Sequence, residues 1–319
     1  MNYYKSALKA FHSHYKKRLS GTSIKKSERG KGLLIASILS QDLKDDNEPR
    51  MYLHKEPVDQ VIILAHGLSD SPYYMTAIAK EFFYAGANVI IPLMPAHGLK
   101  QPDGHMEDLK MDTKWKEEID TVVEIASIIG HNISLGGFSS GGALCYNKIL
   151  RDPELINGAL FLFAAAIDVR LISDLGQSRF VSMLAKISDG HTKGYGMDPF
   201  KYPKLPLFAA LELGQIINQN EELSQGLRIS QPVFAAHAVD DKTAKLSAIK
   251  NLIHKHTETG ILYTIYNGMA HAELPLKEDI ELDDKYEDGK AAYANQDFDI
   301  MMESCLSFYQ KYVVDSYDA

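Results

Sequence analysis

Two glycines bracket a serine in Gly137-Phe138-Ser139-Ser140-Gly141, directly behind the apolar stretch Ile133-Ser134-Leu135. A serine held on a tight turn from strand to helix needs neighbours without bulk two residues to either side, because backbone passes close to it there. The spacing predicts that the Ser139 hydroxyl stands clear of a sheet as a nucleophile. The helix opening at Ser140 would present free N–H groups and a positive dipole end to an oxyanion. The alternative reading of the same five residues is a Gly/Ser-rich loop. Ser140 is the poorer choice of nucleophile, because Phe138 fills the position two residues before it.

Three further segments supply partners. The run from Val61 to Leu68 has the continuous apolar character of a buried parallel strand and ends in a His66-Gly67 loop. Ser71 as N-cap and Pro72 in the first helical turn keep that loop short. The N–H groups of Leu68 and Ser140 are then the expected oxyanion donors, each worth about two to three powers of ten in rate. His66, Gly67 and Phe138 border the expected substrate site, with His66 ordering the loop through hydrogen bonds rather than reacting. The second segment, a strand-like run from Pro232, ends in Asp240 and Asp241, at the carboxyl end of a strand where active-site groups of open α/β sheets gather. The third, a run over residues 261–266, leads through small residues to His271, the expected base. His97, His105, His131 and His237 read as loop or core histidines, since none follows a late strand after the acid.

In this order of serine, acid and histidine the chain resembles the α/β-hydrolase superfamily, from about Tyr52 to the C-terminal helix. Pro92-Leu93-Met94-Pro95-Ala96-His97-Gly98 looks like the Gly-His-Gly segment of monoacylglycerol lipase, lysophospholipase and bacterial carboxylesterase relatives, a group often labelled serine aminopeptidase-like. Ala96 stands in place of the first glycine, and Trp115 falls where that branch tends to carry a tryptophan. The resemblance implies Asp241 as the acid, three residues beyond Ala238, which occupies the family's usual glycine position. It also implies an α/β fold, a mostly parallel central sheet with helices on both faces and a helical cap insertion. The implied chemistry is ester hydrolysis through a Ser-His-Asp triad, by a carboxylesterase or a monoacylglycerol/lysophospholipid lipase without metal or organic cofactor. A thioesterase, amidase or aminopeptidase would use the same triad. From a different class comes a hydrolase-like fold that binds a ligand or partner without turnover, which usually shows a broken triad; here all three positions are filled.

The elements that must position these residues can be read as a hydrolase core over residues 32–168 and 230–319, interrupted by an insertion over 169–229. Apolar stripes at Leu171, Leu175, Val181 and Leu184, and at Leu207, Leu211, Leu213, Ile216 and Ile217, give that insertion the look of a helical cap. Tyr195, Tyr202 and the Gly-rich turn over 191–196 would line or hinge it. The alternative is that the stripes are ordinary helix-to-core packing. Residues 296–313 carry Phe298, Met301, Met302, Cys305, Phe308 and Tyr312 at helical spacing and predict a closing helix. The acidic stretch 278–290 holds part of a calcium-loop pattern that fails at Tyr286 and Asn295, so it reads as a solvated loop.

The formal charge of -8 argues against nucleic acid as a partner. It conceals an asymmetry: residues 1–31 carry nine Lys or Arg against Glu28 alone, leaving the remainder near -16. Tyr4, Leu8, Phe11, Tyr15 and Leu19 place an apolar stripe on one side of this basic arm. Such a helix could rest on an anionic membrane surface as a peripheral contact; alternatively it packs on its own domain or on a sister subunit. Lys5 and Lys9 interrupt any signal-peptide core, and no apolar run approaches a membrane span. Cys145 and Cys305 make no disulfide framework, which fits a reducing compartment and a cytoplasmic protein. Cys145 is expected to pack as a small apolar residue.

Overall fold

The computed structural model describes residues 3–101, 106–169, 191–192, 198–202, 205–281 and 290–317. Apolar runs too continuous to expose either face become the inner strands of a sheet covered on both sides. The sheet's strands, edges included, are β1 (Ser23–Arg29), β2 (Leu33–Leu39), β3 (Arg50–Leu53), β4 (Gln60–Ala65), β5 (Asn88–Ile91), β6 (Asn132–Phe138), β7 (Leu160–Phe163), β8 (Val233–Ala238) and β9 (Gly260–Ile265). They form one sheet in the order β1-β2-β3-β5-β4-β6-β7-β8-β9. From β5 to β9 every neighbour is parallel, while β1, β2 and β3 pair antiparallel along one edge. The mostly parallel sheet expected from the resemblance is therefore present, with an antiparallel extension that the sequence did not announce.

Alternation along each strand divides the core in two. Val61, Ile63 and Ala65 of β4 face a cluster built with helices α1 (Lys5–Lys16), α3 (Met111–Ser127), α4 (Ser140–Arg151), α5 (Leu207–Ser224) and α6 (Leu246–Lys255), for which α2 is Thr76–Tyr84 and α7 is Phe298–Tyr309 in chain order. Ile62 and Leu64 face the opposite cluster with α2 and α7. Helices thus cover both faces, as expected. Leu211, Leu213, Ile216 and Ile217 of α5 are buried in the first cluster, and Asn220 Nδ2 donates to the Ala143 carbonyl on α4, so this half of the expected cap packs on the domain. Leu171, Leu175, Val181, Leu184, the residues 193–196 and the acidic stretch 282–289 lie outside the described residues.

Strand register levels the ends that matter. Ala65 lies opposite Gly137, Phe138 opposite Phe163, and Ala238 opposite Ile265. The loops leaving β4, β6, β7, β8 and β9 consequently emerge at the carboxyl edge of the sheet. Ala238, at the family's glycine position, keeps ordinary strand pairing and needs no glycine conformation. Ala96, by contrast, adopts φ +68°, a left-handed backbone that explains why glycine is the common residue there.

Of the two readings of the N-terminal stripe, the structure favours the inward one. Tyr4, Leu8, Phe11, Tyr15 and Leu19 are all buried in the core, and Tyr15 Oη donates to Glu118 on α3 at 2.7 Å. The stripe packs on its own domain, the alternative to a peripheral membrane contact. Residues 23–29 of the same arm form the edge strand β1. No described helix is long and apolar enough to cross a membrane. Because Phe11 is wholly buried, Phe11→Ala should destabilise the protein by about 3–5 kcal/mol in denaturant titration, whereas the exposed Lys9→Ala should change stability by less than about 0.5 kcal/mol.

Candidate active site

Ser139 joins β6 to α4 with φ +52° and ψ -118°, a backbone state that ordinarily costs a non-glycine residue of order 1–3 kcal/mol. Neighbouring backbone holds it there. Ser139 N–H donates to the Phe163 carbonyl at 3.1 Å, and the Ser139 carbonyl accepts from Gly142 N–H at 3.0 Å and Ala166 N–H at 2.9 Å. The bracketing glycines are steric necessities: a Cβ on Gly137 would overlap the Gly141 backbone, and one on Gly141 would overlap the carbonyls of Ala65 and His66. Absence of bulk therefore lets the head of α4 press against both its own strand and the end of β4.

The turn aims Ser139 Oγ at His271. His271 follows β9 at the start of a short 3-10 turn, and its Nε2 lies 2.9 Å from Ser139 Oγ. Its Nδ1 lies 2.6 Å from Asp241 Oδ2, on the loop after β8. Asp241 is buried, and its other oxygen accepts the N–H groups of Thr243 at 2.7 Å and Ala244 at 3.0 Å. Burial alone would raise the pKa of this carboxyl; the hydrogen bond and charge of His271, with the Thr243 N–H, outweigh it and hold the carboxyl below its ordinary value. An ionised carboxylate can only accept at Nδ1, so that nitrogen carries the proton and Nε2 is left to accept from the serine. Asp240 beside it is exposed. Sequence reasoning missed the Thr243 and Ala244 donors, which leave no side-chain signal.

The loop after β4 lies against this array. Gly67 packs so closely that a Cβ there would meet Asp70 Oδ2 and the Phe138 ring. His66 is wholly buried: its Nε2 accepts Met94 N–H at 3.1 Å, so its Nδ1 donates to the Gly67 carbonyl 2.9 Å away. A peptide unit is planar and trans, so fixing the Gly67 carbonyl also fixes the direction of the Leu68 N–H. Asp70 N–H donates to the same carbonyl at 3.2 Å. Ser140 is the first residue of α4, whose N–H has no intrahelical partner. The two expected oxyanion donors thus belong to loops in contact.

His97 braces the same turn, accepting Ser69 N–H at its Nε2 at 3.2 Å while its Nδ1 sits 2.9 Å from the Pro95 carbonyl. Burial pushes the pKa of His66 down to about 4 and, with the neighbouring His66, that of His97 down to about 3, so both imidazoles are neutral at pH 7. His66 and Phe138, expected to line the substrate site, do not reach open space: His66 is a brace and Phe138 packs under His271, ring centroids 5.0 Å apart. Tyr202 is likewise buried, and its N–H donates to the Ser69 carbonyl. Tyr195 and His105 lie outside the described residues, and His131 is exposed. His237 is buried with Nε2 3.6 Å from Asp241 Oδ2. Among the described residues no three His, Cys, Asp or Glu side chains converge as metal ligands.

No family model matches the chain. A thermostable monoacylglycerol lipase of Bacillus sp. (strain H-257) is 24% identical over 174 residues, 53% of this chain and 66% of the relative, so the match spans just under two thirds of that protein's length. The structure reported for the metagenome-derived lipolytic enzymes LipS and LipT superposes with a TM-score of 0.66 at 21% identity, covering 85% of this chain and 100% of that one. The chain has the α/β-hydrolase fold. A soluble variant of the monoglyceride lipase from Saccharomyces cerevisiae, solved with a substrate analogue, shares the fold at a TM-score of 0.61 and 13% identity, over 93% and 96% of the two chains. The buried, triply hydrogen-bonded Asp241 and the exposed Asp240 should respond differently to the same change. Asp241→Asn should lower turnover on the order of 10⁴-fold and Asp240→Asn less than about tenfold, measured as kcat on a chromogenic ester.

Proposed function

We propose that the protein is a serine hydrolase that cleaves carboxylic esters, a carboxylesterase or a monoacylglycerol/lysophospholipid lipase. The observation that carries this reading is the continuous hydrogen-bonded line from Asp241 Oδ2 through both nitrogens of His271 to Ser139 Oγ, at the head of a helix. Ser139 Oγ attacks the ester carbonyl carbon as His271 Nε2 takes the hydroxyl proton. The carbonyl electron pair moves onto oxygen, and the resulting oxyanion is held by Leu68 N–H and Ser140 N–H. Collapse expels the alcohol, which leaves with the proton from His271. Water then gives a proton to His271 and attacks the acyl-enzyme, and Ser139 departs with that proton, releasing the carboxylic acid.

Asp241 stays ionised throughout. It holds the imidazole in one tautomer and stabilises the imidazolium that forms in each half-reaction. The residues named act without a metal or organic cofactor. Similarity to proteins named as monoacylglycerol lipase and lipolytic enzymes supports an acyl glycerol or similar ester as the substrate class. The insertion over 169–229 would set the acyl pocket above the sheet edge.

A panel of p-nitrophenyl esters, 1-monoacylglycerols and lysophospholipids of graded acyl length, run beside matched thioesters and amino-acid amides, tests the reading. Ester turnover should exceed amide turnover by at least about tenfold, and Ser139→Ala should abolish it. Preferential turnover of the amides or thioesters, or ester turnover that survives Ser139→Ala, would overturn it.

A further inference from the structure

The oxyanion turn is fixed on one side by His66 and His97; its other side is held by residues 198–202, inside the expected insertion. Ser69, at φ +71°, cannot keep its left-handed conformation cheaply without support. Its carbonyl accepts Tyr202 N–H at 2.5 Å. Next to it Lys201 Nζ lies 2.8 Å from Asp70 Oδ1, both side chains being almost wholly buried. The same ammonium sits 4.4 Å from the centre of the Tyr74 ring, a favourable cation–π position. Tyr74 Oη donates to Asp198 Oδ2, Phe200 stacks on Tyr73 at 3.5 Å, and Asn47 Nδ2 donates to the Pro199 carbonyl at 3.0 Å. Each residue from 198 to 202 therefore has an anchor, and four of the five anchors lie on residues 69–74.

A buried ion pair is a poor way to gain stability, since desolvation offsets most of its attraction and apolar side chains of similar volume usually do as well. What it does supply is fixed geometry. Asp70 Oδ2 occupies the space where a Cβ of Gly67 would stand, and Asp70 N–H donates to the Gly67 carbonyl. The Asp70 carboxylate thus packs directly against Gly67, whose carbonyl belongs to the peptide that carries the Leu68 N–H.

We propose that Lys201 is a positioning residue: through its ion pair with Asp70 it couples residues 198–202 to the oxyanion turn and aims the Leu68 N–H. This rests on the ester-hydrolase reading above. The consequence is that residues 198–202 lifted from residues 69–74 leave the oxyanion site half-formed while the Ser139–His271–Asp241 line is intact.

The test compares wild type, Lys201→Met, Lys201→Arg and the double variant Asp70→Asn/Lys201→Met on a soluble short-chain ester. Affinity for a trifluoromethyl ketone, which the serine converts to a tetrahedral oxyanion, is measured alongside. Lys201→Met should lower kcat by about 10- to 100-fold, short of the full loss of an oxyanion donor, with KM within about threefold and ketone affinity falling in step with kcat. Lys201→Arg should keep most of the turnover. The double variant removes the whole charge pair, so it carries the test if Lys201→Met fails to fold, and it should show the same loss in kcat. Wild-type kcat in the folded double variant, or a loss confined to KM with ketone affinity unchanged, would overturn the inference. Wild-type protein without ester turnover would instead overturn the reading on which it rests.

Discussion

A serine forced into left-handed backbone is the constraint on which the rest of this structure depends. Ser139 at φ +52° has no conformational reason to stay there, and four backbone hydrogen bonds with β7, its following loop and the first turn of α4 hold it. Those bonds exist only because Gly137 and Gly141 let the helix head close on β6 and on the end of β4. The local cost is met by packing that extends through the sheet, and the return is a hydroxyl that faces an imidazole. Replace either glycine with any larger residue and the helix head must retreat, taking the Ser140 N–H with it.

Around that turn the protein uses peptide planes as its positioning device. Neutral, buried His66 and His97 each satisfy one backbone N–H and meet one backbone carbonyl, bridging the end of β5 to the loop after β4. Burial keeps them uncharged, and this is what allows one ring nitrogen to accept while the other donates. A protonated ring would have two donors and would turn one of these bonds into a repulsion. Asp241 is treated in the opposite way: donors surround it until its charged form is the favoured one despite burial. Two neutral imidazoles and one ionised carboxylate thus set the geometry around His271 and the loop beside it.

Much of this was legible in the chain because its causes are local. Glycine spacing around Ser139 reports a steric demand of the turn itself, and continuous apolar runs such as 61–65 and 233–236 report strands with two covered faces. The ambiguous stretches were those whose outcome depends on distant partners. The stripe of Tyr4, Leu8, Phe11, Tyr15 and Leu19 is compatible with lipid or with protein, and only α3 and its Glu118 decide between them. Position in the motif suggested that His66 and Phe138 would meet substrate; their burial beneath the loop follows from Met94 and His271, which are remote in sequence. Asp70 and Lys201 carry no motif and are 131 positions apart in the chain, so their contact had no sequence signature. The antiparallel pairing of β1 to β3 was equally silent: β1 is a polar edge strand without an apolar signal, and the apolar run of β2 carries no sign of which way it pairs.

The central claim is that the Ser139 hydroxyl is the activated nucleophile, and covalent capture measures that most directly. Treatment of folded wild-type protein with a fluorophosphonate should release one fluoride from the reagent per chain and add one phosphonyl group to the protein, mapped by peptide mass spectrometry to Ser139 and absent after His271→Ala. An adduct on Ser140, or no adduct on protein that is demonstrably folded, would contradict the account.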